Sequence, residues 1–185
     1  MILERVLSYS KTLLQKAASE GDLVIDGTAG NGHDTLFLAK LVGQNGHVYA
    51  FDIQQSAIDA TKKNLGIYGM QATVILDGHE HISKYVTQEI SAAIFNLGYL
   101  PGANHSTITR PKTTIQAIES CLNLLRVGGI VVIVVYHGHE GGDIERDALM
   151  SYVSELPQSS IQVLKYDFIN QVNHAPFLLA LERTK

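Results

Sequence analysis

Leu23-Val24-Ile25-Asp26-Gly27-Thr28-Ala29-Gly30-Asn31-Gly32-His33-Asp34-Thr35 reads as a short apolar strand, a glycine-rich turn opened by an acid, and the start of a helix. Leu36, Phe37, Ala39, Leu41 and Val42 give that helix its buried side. Upstream, residues 2–18 place Ile2, Leu3, Val6, Leu7, Leu13, Leu14 and Ala17 near one helical face, and Gly21-Asp22 ends that helix. Downstream, strand and helix keep alternating. His47–Phe51 is a strand ending at Asp52, Ser56–Leu65 a helix, Ala72–Leu76 a strand ending at Asp77, and Ser91–Phe95 a strand ending at Asn96. A loop rich in Gly, Asn, Ser and Thr runs to Arg110, and Pro111 opens a helix continuing to Leu125. Gly128-Gly129 breaks it. Ile130–Val135 is apolar on both faces and so belongs at the centre of a sheet. A helix over Asp143–Ser154 and strands Ile161–Phe168 and Phe177–Leu181 close the chain. With only Asn170-Gln171 marked between them, these last strands form an antiparallel edge pair. The alternation predicts an α/β fold: a Rossmann-like, seven-stranded, mainly parallel sheet with helices on both faces, in one domain spanning 1–185.

Composition narrows the classes. The chain has 185 residues and 45% hydrophobic side chains, which excludes a disordered protein. Its net charge of -4 argues against binding nucleic acid by bulk charge, while leaving room for a local basic patch. The single cysteine, Cys121, excludes an internal disulfide and a cysteine-built zinc site. Ile130–Tyr136 is the longest apolar run and is too short to span a bilayer. Glu4 and Arg5 interrupt the N-terminal apolar stretch, so no signal peptide is expected there, and a cytoplasmic, soluble protein is.

Ligands of open α/β sheets sit beyond the carboxyl ends of the strands. Four predicted strands end there in a polar residue: Asp26, Asp52, Asp77 and Asn96. A glycine turn lets a ligand approach the backbone closely. Asp52 stands where a carboxylate accepts the hydroxyls of a ribose. Two cofactors compete for this turn. A nicotinamide dinucleotide asks for G-x-G-x-x-G, but Thr35 stands where the third glycine belongs, and the acid at Asp26 would repel a pyrophosphate. The S-adenosylmethionine pattern D/E-x-G-x-G-x-G fits better, with Thr28 in place of its first glycine. The expected cofactor-binding residues are Asp26, Thr28, Gly30, Asn31, Gly32, Asp34, Thr35, Asp52, Gln54, Asp77, His79 and Asn96.

Phe95-Asn96-Leu97-Gly98-Tyr99 lies at the end of the fourth strand. It resembles the D/N-P-P-Y/F/W signature of class I amine methyltransferases, with Leu97 and Gly98 replacing both prolines. The resemblance implies that Asn96 accepts the hydrogens of a target amine while Tyr99 stacks on a flat substrate, which makes these two the catalytic candidates. A protonated amine must also lose a proton. His105, His137, His139 and solvent water are the candidate acceptors. His79-Glu80-His81 and His137-Gly138-His139 raise the question of a metal, but no third ligand stands at a defining spacing and none is expected. Arg110 and Lys112 flank Pro111 and are candidate phosphate contacts. The expected substrate contacts are therefore Tyr99, His105, Arg110, Lys112, His137 and His139.

Asp26–Thr35, Asn96-Leu97-Gly98-Tyr99-Leu100-Pro101-Gly102, Tyr136–His139 and Asn170-Gln171-Val172-Asn173 together resemble one family over nearly the whole chain. It is the MnmM-type tRNA 5-aminomethyl-2-thiouridine methyltransferases, small bacterial class I enzymes formerly labelled rRNA methylases. The resemblance implies methyl transfer from S-adenosylmethionine to the exocyclic amine of a modified wobble uridine in the tRNA anticodon, by a homodimer. The loop after Tyr99 would then admit a flipped-out nucleotide. Other readings remain open: methylation of rRNA or of a small-molecule amine or hydroxyl, a non-catalytic S-adenosylmethionine-binding module, and, last, a nicotinamide dehydrogenase.

Overall fold

The computed structural model describes residues 2–98, 109–138 and 141–185. Tyr99, His105 and His139 lie outside the described residues, as does the whole loop over 100–108. Among the described residues the predicted alternation holds. The strands are β1 (Leu23–Asp26), β2 (His47–Asp52), β3 (Thr73–Leu76), β4 (Ile90–Leu97), β5 (Leu125–Val135), β6 (Ile161–Tyr166) and β7 (Phe177–Arg183). The helices are α1 (Val6–Ala17), α2 (His33–Val42), α3 (Gln55–Ile67), α4 (Ile82–Tyr85), α5 (Pro111–Leu124) and α6 (Gly142–Ser154).

The seven strands form one sheet in the order β3-β2-β1-β4-β5-β7-β6. The first five run parallel; β7 pairs antiparallel with β5 and with the edge strand β6. From β1 the chain winds outward through β2 and β3, then returns to β4 on the other side of β1. Right-handed crossovers therefore place α2 and α3 on one face and α5 on the other. Each face has its own core. Val6, Leu14, Leu36, Leu38 and Leu65 cover one side, while Ile82, Ile118, Cys121 and Leu149 cover the other. β4 feeds both, because neighbouring side chains alternate: Ala92 and Ile94 enter the first core, Ala93 and Phe95 the second. The order reverses between β1 and β4, so a crevice opens beyond their carboxyl ends.

Three differences from the sequence expectation go beyond a residue or two at an element's end. α1 begins at Val6, not at residue 2; Ile2 and Leu3 are exposed and belong to neither core among the described residues. A 3-10 turn (His79–His81) and α4 follow β3 where no helix was expected. Gly128-Gly129 lies inside β5 and not between a helix and a strand. α5 stops at Leu124, and β5 begins at once, its register against β4 shifting from Ile90 with Leu125 to Ala92 with Ile130. The glycines form an irregularity in a longer strand.

Candidate active site

The turn after β1 is built on Asp26. This side chain is wholly buried; its two oxygens accept from the Thr28 N–H at 3.1 Å and the Thr35 hydroxyl at 2.6 Å. It ties the start of the turn to the first turn of α2. Burial, and next the nearby Asp34 carboxylate, push its carboxyl up to about 7. Thr28 next reaches across to β4, its hydroxyl accepting the Asn96 backbone N–H at 2.7 Å. The Gly30 N–H and the Gln54 N–H both donate to Asp52, each at 2.9 Å, so the carboxylate at the end of β2 is fixed against the turn. Gly27 passes so close to the Phe95 ring that a β-carbon there would overlap it. At Gly32, φ is +79° and a β-carbon would meet the Thr61 backbone at 2.7 Å, so both conformation and space favour glycine.

Beyond the ends of β1–β4 lies a cavity of about 870 Å³. Of the expected cofactor residues, Thr28, Gly30, Asn31, Asp34, Asp52, Gln54, Asp77, His79 and Asn96 line it. Asp26, Gly32 and Thr35 do not. Asp26 and Thr35 are buried beneath the turn and bonded to one another; Gly32 is the left-handed residue that turns the chain into α2. Arg110 lines the mouth, but Lys112 does not. His137 also lies off the cavity wall, its ring edge-on to His174 and to Phe177, each 5.7 Å away between centroids. Burial, and next Arg146, push its pKa down.

Past β3 the two histidines of His79-Glu80-His81 face different partners. His79 Nδ1 donates to the Gly27 carbonyl at 3.0 Å, and burial lowers its pKa, so a neutral ring lines the cavity. His81 Nδ1 donates to Asp77 Oδ1 at 2.7 Å, and the Tyr85 hydroxyl donates to Asp77 Oδ2 at 2.9 Å. The His81 bond, helped by those from Tyr85 and the Gly78 N–H, holds the Asp77 carboxyl down at about 2. Among the described residues no three metal-ligating side chains come together.

Asn96, one residue beyond Phe95, lines the same cavity. Its side-chain nitrogen donates to Asp34 Oδ2 at 2.7 Å. Tyr136, directly after β5, also lines the cavity; burial and then Asp34 push its hydroxyl pKa up, which keeps it a donor at neutral pH. Where the chain leaves β4, the Gly98 N–H donates to the Thr109 hydroxyl at 3.1 Å, and that hydroxyl donates to Glu145 Oε2 at 2.6 Å.

The wall suits a nucleoside carrying an amino-acid tail. The Asp52 carboxylate has lone pairs left for ribose hydroxyls. Ile53, next to it and 60% exposed, offers an apolar face to a base. Gly78 and His79 line the same cavity. Polar Asn96 and Asp34 sit where a reacting group would meet the tail. Several lining residues escaped the sequence reading: Leu7, Lys11, Ile53, Glu80, Thr109, Thr113 and Tyr136. Tyr136 had a signal, as the residue that ends β5. Leu7 and Lys11 had none, since nothing local says that α1 folds over the rim. Among the described residues no helix is long and apolar enough to cross a membrane.

Comparison with known proteins places this geometry. Residues 48–182 match the family model described as putative rRNA methylase. The chain is 36% identical, over 180 residues, to the Arabidopsis thaliana protein named tRNA (mnm(5)s(2)U34)-methyltransferase, chloroplastic; the match takes in 91% of this chain and 66% of that protein, just under two thirds of its length. A putative rRNA methylase from Clostridium thermocellum superimposes with a TM-score of 0.97 at 42% identity, over 99% of this chain and 100% of that one. A putative methyltransferase from Streptococcus mutans, solved in complex with SAH, gives 0.91 at 43% identity, over 98% and 99% of the two chains. The sheet order and these likenesses make the fold that of the class I methyltransferases.

Proposed function

Because the chain belongs to the family described as putative rRNA methylase, we propose that it is an S-adenosylmethionine-dependent N-methyltransferase acting on tRNA. In this reading it converts the 5-aminomethyl group of wobble (2-thio)uridine to 5-methylaminomethyl. The observation that carries it is Asn96 at the end of β4, on the cavity wall with its amide nitrogen already engaged and its oxygen left to accept an amine hydrogen. The tRNA methyltransferase from Arabidopsis supports the substrate, and the SAH-bound relative from Streptococcus mutans supports the cofactor.

S-adenosylmethionine would supply an electrophilic methyl group on a sulfonium. Asp52 would hold its ribose, Ile53 and His79 its adenine, and the amides of the turn after β1 its amino-acid end. Asn96 Oδ1 would accept a hydrogen of the target amine and aim the nitrogen lone pair, so that much of the acceleration comes from orientation. The amine arrives protonated and gives its proton to water or to His105 or His139. Tyr99 would stack on the uracil. Lys11 and Arg110, both on the cavity wall, are placed to meet phosphates of the anticodon loop, which suits an acidic chain that needs only a local basic patch. The partner is then the anticodon region, met by one catalytic domain over 1–185, as a homodimer in the cytoplasm.

The test uses tRNA from a strain lacking this gene, digested to nucleosides before and after incubation with the protein and S-adenosylmethionine. Mass spectrometry should show an aminomethyl-uridine gaining one methyl group. If no tRNA nucleoside changes mass while the protein binds the cofactor, the tRNA reading fails. The family description favours rRNA as the second reading, and rRNA from the same strain, run in parallel, tests it.

A further inference from the structure

An asparagine side chain has two ends of opposite character: its oxygen accepts hydrogen bonds and its nitrogen donates them. Only the oxygen can take a hydrogen from a target amine. A half-turn of the amide would point N–H at N–H and turn attraction into repulsion. Asn96 therefore needs something that tells its two ends apart.

Asp34 does this. Its Oδ2 lies 2.7 Å from the Asn96 amide, a distance that requires a donor on the amide side. A carboxylate oxygen accepts, so the atom facing it is Nδ2 and the oxygen is turned away. Both ends of the contact are anchored. Asp34 sits in the first turn of α2, where a carboxylate is favoured, with Lys11 Nζ 3.8 Å from its other oxygen. Asn96 is held through its backbone N–H by Thr28. Among the described residues Asn96 Oδ1 accepts no hydrogen bond, which leaves it for a ligand in the cavity both residues line.

We propose that Asp34 is a positioning residue: it holds the Asn96 amide in the one orientation that presents an acceptor to the reacting nitrogen. This rests on the amine-methylation reading above and departs from the sequence expectation that Asp34 is a cofactor ligand. The role needs an acceptor at this place, not a charge, so Asp34→Asn can fill it through its own amide oxygen, while Asp34→Ala has nothing to offer.

Wild type, Asp34→Ala and Asp34→Asn are compared in two measurements. In the first, kcat and KM are taken on tRNA from the strain lacking the gene, with the Kd for S-adenosylmethionine from calorimetry. Asp34→Ala should lose about 100-fold in kcat, the scale of a misplaced reacting group. KM and Kd should stay within about threefold, and Asp34→Asn should regain most of the loss. In the second, the Asn96 side-chain amide is followed by 15N–1H NMR, assigned by its disappearance in Asn96→Ala. Its shift should move in Asp34→Ala and return in Asp34→Asn. The proposal is overturned if Asp34→Ala matches wild type, if Asp34→Asn is as slow as Asp34→Ala, if the Kd rises in step with the lost rate, or if the resonance does not move. Should wild type methylate no tRNA, the functional reading fails, and the resonance still decides whether Asp34 orients Asn96.

Discussion

The Asn96 backbone N–H donates to the Thr28 hydroxyl oxygen at 2.7 Å, so a side chain takes over a ladder where the strand beside it has already turned away. One step earlier the Gly27 N–H still bonds the Ile94 carbonyl in the ordinary way. Then β1 bends into the turn, and Asn96 would be left with an unpaired N–H beside the cavity. Thr28 occupies the first glycine place of the S-adenosylmethionine pattern, and a glycine there could not make this bond. Thr28→Val keeps the shape and removes the hydroxyl. It should cost about 1 kcal/mol, the scale of one hydrogen bond, since the freed donor stands beside the cavity and can still reach water. The kcat should fall with it, because Asn96 loses its backbone anchor. Thr28→Ser should keep both. Urea titration and initial rates on the three proteins check this, and an unchanged Thr28→Val would show that the bond carries nothing.

The approach of Gly27 to Phe95 predicts a packing defect with a second-site cure. Phe95 is fully buried, and its ring also meets His79 edge-on at 5.7 Å. Gly27→Ala forces a methyl group into that ring. Overpacking of this kind costs about 1–3 kcal/mol. The shift should also reach the cofactor, since His79 is bonded to the Gly27 carbonyl. Lower stability and weaker S-adenosylmethionine binding are both expected. Phe95→Leu in the same chain should restore part of each, by denaturation and calorimetry.

The strand ends show what the sequence could tell and where it stopped. The polar residues at the ends of β1–β4 were legible, because an apolar run gives way to one polar residue, although β4 runs one residue past Asn96 to Leu97. Which way that residue points was not. Asp52 reaches the cavity wall, while Asp26 turns beneath it to bind Thr28 and Thr35. Asp77 lines the wall with both oxygens already engaged by His81 and Tyr85. The helical turns after β3 were missed because Gly78-His79-Glu80-His81 carries no apolar period and α4 is four residues long. β5 was cut short because a Gly-Gly pair reads locally as a break, whereas pairing with β4 carries the strand across it. Lys11 joins the site only through the packing of α1 on the sheet.

If the substrate is the tRNA proposed above, Glu145 predicts a separation of substrate recognition from cofactor binding. This carboxylate on α6 is 2% exposed and accepts from the Thr109 and Thr114 hydroxyls at 2.6 and 2.7 Å. Thr109 in turn pairs with Gly98 through its hydroxyl and through its N–H at 3.3 Å. These bonds pin both ends of the 99–108 segment, which carries Tyr99. Glu145→Ala removes the acceptor and should raise the KM for tRNA about tenfold while the Kd for S-adenosylmethionine holds, since the residues fixing Asp52 are elsewhere. Glu145→Gln, with one acceptor oxygen left, should fall between. Equal losses for tRNA and cofactor would instead assign Glu145 to general folding.

Asp26 predicts a stability that falls as the pH rises toward neutrality. Burial lifts its carboxyl from 3.8 to about 7 in the folded chain. Between those values the unfolded chain has released the proton and the folded chain still holds it. The folded state therefore binds more protons, and stability declines with rising pH across that window, by roughly 4 kcal/mol at the conversion of 1.36 per unit. Asp77 works in the opposite sense and lower down. Its carboxyl is held at about 2, so its contribution is present above about 4 and is lost as the pH falls through 2. From these two groups, stability is greatest near pH 4, where the Asp77 gain is nearly complete and the Asp26 decline begins. Asp26→Asn cannot lose a proton and should flatten the decline between pH 4 and 7, leaving the acid side unchanged. Urea denaturation at unit intervals from pH 3 to 8 measures both slopes. A wild-type curve that rises from pH 4 to 7, or a slope that survives in Asp26→Asn, would place the responsible proton on another group.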